Sequence, residues 1–155
     1  MTKLRATTAL AADIARIDRQ RFNEAVAAEF YLCAPPTVAG RARSFGVNDL
    51  IALYIYGRLN DEGVIPRHAG QVACRLLNFM NEVGADLDHA LYVVCEGRPA
   101  AWVRRERFDL AATHMSGGEI TSVRDWYLRP IRDRIIARLE AEDESRVLGP
   151  VGDGD

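Results

Sequence analysis

The stretch that decides the fold is RSFGVNDLIALYIYGRLNDEGVIPRHAGQVACRLL, residues 43–77. Asn48 or Asp49 is suited to cap a helix that ends at Gly63, because glycine is favoured just beyond a helix terminus. Pro66 fits the first turn of a following helix, where a missing N–H costs nothing. The short connection between the two predicts an antiparallel helix pair. Its core positions recur at helical spacing: Leu50, Leu53, Tyr54 and Leu59 in the first helix, and Ala69, Val72, Ala73, Leu76, Leu77 and Met80 in the second.

Two shorter helices are predicted upstream of this pair. Apolar residues recur every three or four positions within Thr8–Arg16, and again in a second helix over residues 19–29. Asp18 is a suitable N-cap for the second helix. Because so few residues separate the two helices, we expect a helix-turn-helix arrangement at a steep angle.

Residues 31–45, YLCAPPTVAGRARSF, interrupt the helical pattern. Pro35-Pro36 breaks any helix and Gly40 permits a turn. The flanks favour extended structure, so we expect a small β-hairpin, which would form a wing.

The pattern changes after Gly84. Short strands are predicted at 90–95, 100–104 and 119–123, and a last helix begins at Pro130. The predicted fold is mostly α with a small β part (α+β): a winged helix-turn-helix head over 1–85, a β-strand and helix module over 86–143, and an acidic disordered tail over 144–155.

Composition excludes several classes of protein. A 48% hydrophobic content supports a folded core, and no apolar run is long enough to span a bilayer or to form a secretory signal. We therefore expect a cytoplasmic protein with no membrane partner. The net charge of −2 first argues against a nucleic-acid partner. Residues 1–47 nevertheless carry seven basic and four acidic groups, a net of +3, while the terminal segment 140–155 carries −5.

Cysteine and histidine are too scattered to indicate a metal site or a cofactor. Cys33, Cys74 and Cys95 form no CxxC pair, so we expect no disulfide framework, and we expect Cys74 and Cys95 to be buried as small apolar residues. No phosphate-binding loop, GxSxG motif or HExxH motif is present, and an enzyme is not expected.

Several motifs in residues 8–83 resemble those of the MerR-type winged helix-turn-helix family. An Arg-x-aromatic pair ends the wing at Arg43-Ser44-Phe45, Asp49-Leu50 begins a helix, and Leu59 to Gly63 forms a Leu-x-x-x-Gly run. Arg21 and Phe22 stand in the second helix, where the family carries an arginine and aromatics. Glu29 replaces the usual glycine, and the family's metal-sensing cysteines have no counterparts in the second half of the chain.

The resemblance implies a homodimeric, sequence-specific regulator that binds double-stranded DNA at an inverted-repeat operator. The second helix would enter the major groove and the wing would contact backbone or minor groove. The candidate DNA contacts are Arg19, Gln20, Arg21, Asn23, Tyr31, Arg41 and Arg43.

Dimerisation is expected through the last helix, whose apolar face comprises Ile131, Ile135, Ile136 and Leu139. The three strands could instead pack on this helix or form a sheet shared across the dimer. Trp102, Trp126 and Tyr127 could line an effector pocket, but core packing is the more common role of such aromatics, and we do not expect a small-molecule effector. The alternative function is a non-catalytic protein-interaction module that keeps the winged fold without binding DNA.

Overall fold

The computed structural model describes residues 4–84 and 87–148, with side chains to residue 145. Within these residues the chain has a mixed α and β fold, which confirms the predicted class. Its elements are α1 Thr8–Ala15, α2 Arg19–Ala27, α3 Val47–Asp61, α4 Pro66–Val83, β1 His89–Glu96, β2 Arg98–Arg104, β3 His114–Met115, β4 Gly118–Tyr127 and α5 Leu128–Leu148. A short 3-10 helix spans Arg105–Arg107. Residues 144–148 of the predicted disordered tail are helical, and the remainder of that tail lies outside the described residues.

A tight turn joins α1 to α2, as the sequence predicts. The Thr7 hydroxyl accepts a hydrogen bond from the Leu10 N–H at 3.3 Å and begins α1. Arg16 ends α1 in the left-handed region, with φ of 58°, and this conformation turns the chain sharply. Asp18 then caps α2 by accepting from the Arg21 N–H at 2.9 Å. The two helices therefore form a helix-turn-helix with a three-residue connection, residues 16–18.

The predicted β-hairpin wing is not formed. Residues 31–45 are all described, and they contain isolated bridges, Val38 with Arg41 and Ala6 with Phe45, instead of two paired strands. Pro35-Pro36 supplies two consecutive residues without an N–H donor, which a strand ladder cannot use. A winged head is therefore not confirmed, and this segment is called the α2–α3 loop below.

A disulfide between Cys33 and Cys74 ties the α2–α3 loop to α4, with the two Cα atoms 5.4 Å apart. This pairing corrects the expectation that Cys74 is simply a small buried residue. Sequence spacing could not indicate the bond, because the cysteines are 41 residues apart and meet only when the loop folds onto the helix. Cys95 is free and buried, as predicted.

The α3–α4 pair is confirmed and forms the centre of the molecule. Gly46, rather than Asn48 or Asp49, is the N-cap of α3, and the Asp49 carboxylate accepts from the Gly46 N–H at 2.8 Å. Buried residues occur all around α3, because neighbours cover most of its surface. All six predicted core positions of α4 are buried.

The sheet is antiparallel, with strand order β2-β1-β4-β3. The three predicted strands are confirmed, β4 continues to Tyr127, and β3 was not predicted. One face of the sheet packs on the helices through Trp102 and Trp126. The other face, called the outer face below, holds a separate small cluster of Leu91, Val93 and Cys95. The segment between β2 and β4 lies over that cluster, since Phe108 and Met115 pack against it.

A single apolar core crosses the boundary that the sequence predicts near residues 84–88. The core joins residues of α3 and α4 to Ala90, Trp102 and Trp126 of the sheet. The Trp102 indole N–H also donates to the Val72 carbonyl at 3.0 Å, a bond from β2 to α4. The two predicted modules are therefore packed as one body.

The expected dimer face of α5 is largely committed to this intramolecular core. Ile131, Ile135 and Leu139 are 8%, 1% and 2% exposed within the single chain, and Ile136 is half-buried. A sequence pattern reports that a helix has an apolar face but not which surface covers it. A dimer would therefore need another surface.

Among the described helices, none combines the length and apolar character needed to cross a bilayer.

Candidate nucleic-acid interface

The exposed side of α2 carries three side chains that can read base edges. Arg19, Gln20 and Asn23 are exposed, whereas Phe22 and Ala25 on the opposite side are buried against the core. A nine-residue helix with one apolar side can pack only in this orientation. The polar side is therefore presented outward on a rigid support.

Arginines of the helix-turn-helix are free of acidic partners within the described part of the chain. Arg16, Arg19 and Arg21 form no ion pair there. Three of the nearby acids have other partners: Asp13 accepts from Arg138 at 2.6 Å, Asp18 caps α2, and Glu24 accepts from Gln20 at 3.3 Å. The positive charge of this surface is thus available to phosphate groups.

Tyr31 is not part of this surface. It is 2% exposed and packs edge-on against Phe22 and Tyr56, with ring centroids 5.5 and 5.0 Å apart. Burial, and secondarily the charge of Asp49, raises the pKa of the Tyr31 phenol far above its ordinary value. Tyr31 is a core residue, and the prediction that it contacts phosphate is wrong.

The two arginines of the α2–α3 loop have different environments. Arg41 is exposed beside Gly40, whose φ of 77° forms the turn. Arg43 is half-buried, and its guanidinium donates to the Pro35 carbonyl, so it holds the loop together. Only Arg41 of this pair presents its guanidinium to solvent without a side-chain hydrogen bond among the described residues.

A cavity of about 800 Å³ lies between α2, the end of α3 and the α3–α4 connection. Arg21 and Glu24 are at its α2 side, and Phe22, Phe30 and Ile65 contribute apolar walls. The Arg67 guanidinium lies 5.0 Å from the centre of the Phe30 ring, a cation–π contact. Among the predicted DNA contacts, Arg21 lines this cavity and is also exposed on the surface of α2.

A charged cluster that the sequence did not predict lies on the outer face of the sheet. His89 Nδ1 is 3.0 Å from Asp125 Oδ1, and Arg105 donates to His89 Nε2 at 3.3 Å and approaches Asp125 Oδ2 at 3.4 Å. Arginine can only donate, so the contact with Nε2 is a hydrogen bond in the tautomer that carries the ring proton on Nδ1. No sequence motif indicates this cluster, since strand register brings together residues 36 positions apart.

The cluster borders a second cavity, of about 480 Å³, with Phe108 and Leu110 in its wall. Arg105 connects the segment after β2 to both central strands of the sheet, so the cluster holds that segment in place. In the part of the chain that the structure describes, this cluster included, no group of three or more His, Cys, Asp or Glu side chains is placed to hold a metal ion.

No protein-family model matches this chain, and no curated protein matches it either.

Proposed function

We propose that the chain is a sequence-specific, DNA-binding transcription regulator of the cytoplasm that acts as a homodimer, with α2 in the major groove. The observation that carries the proposal is that α2 presents an exposed polar side and that only a three-residue turn separates this helix from α1. This is the placement that helix-turn-helix proteins use to present the N-terminal part of a recognition helix. The resemblance of the sequence to MerR-type heads points the same way.

The side chains of this surface match the chemistry of base edges. Arginine can donate two hydrogen bonds to guanine, and asparagine or glutamine can pair with adenine in the same bidentate manner. Arg19 and Asn23 are four residues apart and therefore lie on the same side of α2. We assign base contacts to Arg19, Gln20 and Asn23.

Affinity would come from phosphate contacts. Arg16, Arg21 and Arg41 have no ion-pair partner among the described residues and supply three guanidinium groups for the DNA backbone. A head with a net charge of +3 over residues 1–47 makes few such contacts. Two heads on an inverted repeat would double them, which is why a homodimer belongs to the proposal.

The proposal is tested by selecting bound duplexes from a random DNA library and measuring binding by fluorescence anisotropy. We expect an enriched inverted-repeat motif. Arg19→Ala and Asn23→Ala should each weaken binding to the selected duplex by about 1–3 kcal/mol, roughly fivefold to 150-fold, because each loses a bidentate base contact. Arg41→Ala should weaken binding to all duplexes alike and reduce the salt dependence.

Two control variants separate DNA contact from folding. Arg107→Ala removes an exposed arginine of the sheet region and should leave affinity unchanged. Tyr31→Phe removes a hydroxyl group from a buried ring and should also bind like the parent. A library without any enriched motif, or parental binding by both α2 variants, would contradict the assignment of α2.

A second candidate, a protein-interaction module without DNA contact, is favoured by exposed apolar side chains on the head. Leu32, Val38 and Ile65 are 76%, 59% and 66% exposed, and exposed apolar surface is typical of protein interfaces. The DNA selection decides between the two candidates, because only the first requires an enriched motif.

A further inference from the structure

The cavity between α2, the end of α3 and the α3–α4 connection, called the head cavity below, has the size and lining of a small-molecule site. Its volume of about 800 Å³ lies within the range of ~300–1,000 Å³ that is typical of ligand pockets. Its apolar walls are formed by Phe22, Phe30, Tyr56, Val64 and Ile65. Ile65 is 66% exposed, so a ligand in the head cavity would cover apolar surface that otherwise faces water.

Two close contacts fix the direction in which the lining runs. A Cβ atom added at Gly57 of α3 would lie 2.6 Å from Ile17, so the turn between α1 and α2 touches the last part of α3. A Cβ atom added at Gly70 of α4 would lie 1.8 Å from the Phe30 carbonyl oxygen, so the chain after α2 touches the first part of α4. Helix α2 therefore runs beside the end of α3 and the α3–α4 connection in the same direction. Residues near the α1–α2 turn are at one end of the head cavity, and Phe30 and Ile65 are at the other.

Charged groups of both signs line the head cavity. Arg16 and Arg21 are at the end beside the α1–α2 turn and have no ion pair among the described residues. Asp61 lies one helical turn beyond Gly57, nearer the middle, and its carboxylate also has no ion pair there. The other acids of the lining, which already accept hydrogen bonds from groups of α2, are Asp18 and Glu24. Two guanidinium groups and one carboxylate are therefore available to a ligand.

An unsatisfied acceptor lies beside Asp61. Asn60 also lines the head cavity, and its Oδ1 is buried without a hydrogen-bond partner among the described residues. A buried acceptor without a donor costs free energy. A ligand donor next to Asp61 would satisfy this acceptor once the amide turns toward the cavity. This part of the lining thus accepts hydrogen bonds, whereas the end at Arg16 and Arg21 donates them.

We propose that the head cavity binds a zwitterionic amino acid with a large apolar side chain, although the sequence did not lead us to expect a small-molecule ligand. The carboxylate of the ligand pairs with Arg16 and Arg21, because a guanidinium matches a carboxylate in charge and shape. The ammonium group donates to Asp61, and the apolar side chain packs against Phe30 and Ile65. The lining therefore offers partners for the three groups of the ligand in the order in which the ligand carries them.

Binding of the amino acid removes two arginines from DNA, a consequence that rests on the proposed function. Arg16 and Arg21 line the head cavity and are also two of the three arginines assigned to phosphate groups. A guanidinium that pairs with the ligand carboxylate no longer neutralises a phosphate. The amino acid therefore lowers the affinity for DNA of every sequence, whereas the base contacts of Arg19 and Asn23 are unchanged.

Isothermal titration calorimetry of the full chain, without DNA, tests the site with L-leucine, L-phenylalanine and L-tryptophan. At least one of them should bind and raise the melting temperature, because a ligand that binds only the folded state stabilises it. Glycine, which lacks the apolar group, should bind more weakly. The analogues that lack the ammonium group or the carboxylate (for L-phenylalanine, 3-phenylpropionate and 2-phenylethylamine) should each bind about tenfold more weakly. Binding by none of the three amino acids, or equal binding by both analogues of the one that binds, would overturn the inference.

Variants of the lining locate the bound ligand. Arg21→Ala and Asp61→Asn should each weaken binding about tenfold, since each loses a charge-assisted hydrogen bond. The controls Arg19→Ala and Glu82→Gln change exposed groups of α2 and α4 outside the lining and should bind the amino acid like the parent. Circular dichroism and thermal unfolding verify that every variant is folded. Parental binding by both lining variants would place the ligand elsewhere and overturn the assignment.

Fluorescence anisotropy with the selected duplex separates this inference from the proposed function. A saturating concentration of the amino acid should lower the affinity of the parent for DNA. The double variant Arg16→Ala/Arg21→Ala should show no such response, since it lacks both shared groups. Unchanged DNA affinity of the ligand-bound parent would overturn the regulatory role of these arginines. If the chain binds the amino acid but selects no DNA motif, only the proposed function fails.

Discussion

Gly70 shows how closely α4 approaches the chain that leaves α2. A Cβ atom added at Gly70 would lie 1.8 Å from the Phe30 carbonyl oxygen, which is backbone and cannot turn aside. Only glycine permits this approach, because any side chain would push α4 away from the start of the α2–α3 loop. A single residue thus sets the distance between two elements of the head.

Gly70→Ala should therefore destabilise the protein strongly. We expect the free energy of unfolding to fall by about 1–3 kcal/mol or more, since overpacking forces the backbone to shift. Urea unfolding followed by circular dichroism measures the change. Gly63→Ala is a useful comparison, because nothing lies within 4 Å of its added Cβ and its cost comes only from a φ of 94°. Parental stability of Gly70→Ala would refute the close contact.

The sequence predicts core positions better than individual contacts. The six apolar positions of α4 follow from helical periodicity, but periodicity does not reveal that Gly70 between them meets a carbonyl. The prediction that Tyr31 contacts phosphate fails for a related reason. An aromatic residue after a helix fits an exposed phosphate contact or a buried ring equally well, and only the packing of Phe22 and Tyr56 decides between them.

At the scale of elements, the Cys33–Cys74 disulfide closes a chain segment with a sequence separation of 41 residues. The cross-link reduces the entropy of the unfolded chain, an effect of about 3–4 kcal/mol for a loop of this length. The double variant Cys33→Ala/Cys74→Ala should lose about that much free energy of unfolding. Reductant should destabilise the parent similarly and leave the double variant unchanged.

Thiol titration verifies the pairing directly. The chain has three cysteines and Cys95 is free, so the parent unfolded without reductant should expose one reactive thiol. Three reactive thiols would contradict the disulfide. Such bonds persist chiefly in oxidising environments, so the same titration on freshly extracted protein also bears on the cytoplasmic location.

Elements with strong local signals are predicted well, and those set by distant contacts are not. Asp18 and Pro66 mark helix starts through local chemistry, and both are confirmed. The α2–α3 loop was expected to form a hairpin, but Phe45 pairs with Ala6 and Cys33 bonds to α4 instead. The two-residue strand β3 is defined only by its pairing with β4.

At the scale of the whole molecule, contacts between distant segments join the head to the second half of the chain, beginning with α5. Arg138 of α5 donates to Asp13 of α1 at 2.6 Å, and this bond raises the pKa of the Arg138 guanidinium. Ile135 of α5 is buried in the core that α3 and α4 also form. The sequence shows the apolar face of α5 but cannot show that this face belongs to the chain's own core.

Arg124 of β4 and Glu62, directly after α3, make a second link between head and sheet. Arg124 donates two hydrogen bonds to the Glu62 carboxylate, at 2.6 and 2.9 Å, and stacks on the Trp126 ring at 3.8 Å from its centre. Hydrogen bonding from Arg124 is the main cause that lowers the pKa of Glu62 below its ordinary value. The folded state therefore favours the ionised carboxylate more than the unfolded state does.

Glu62→Gln should consequently cost stability in a pH-dependent manner. A carboxylate with a lowered pKa stabilises the fold above its unfolded pKa, about 4.3, and the contribution disappears as pH falls through the lower folded value. Because the Arg124 side chain is 45% exposed and that of Glu62 35% exposed, we expect about 0.5–1 kcal/mol at pH 7. Urea unfolding of parent and variant at pH 7 and at about pH 3 measures this difference. Asp61→Asn is the control, because Asp61 is exposed and has no ion pair among the described residues, and this variant should show no such loss. If Glu62→Gln instead costs the same stability at both pH values, the link between head and sheet does not depend on charge.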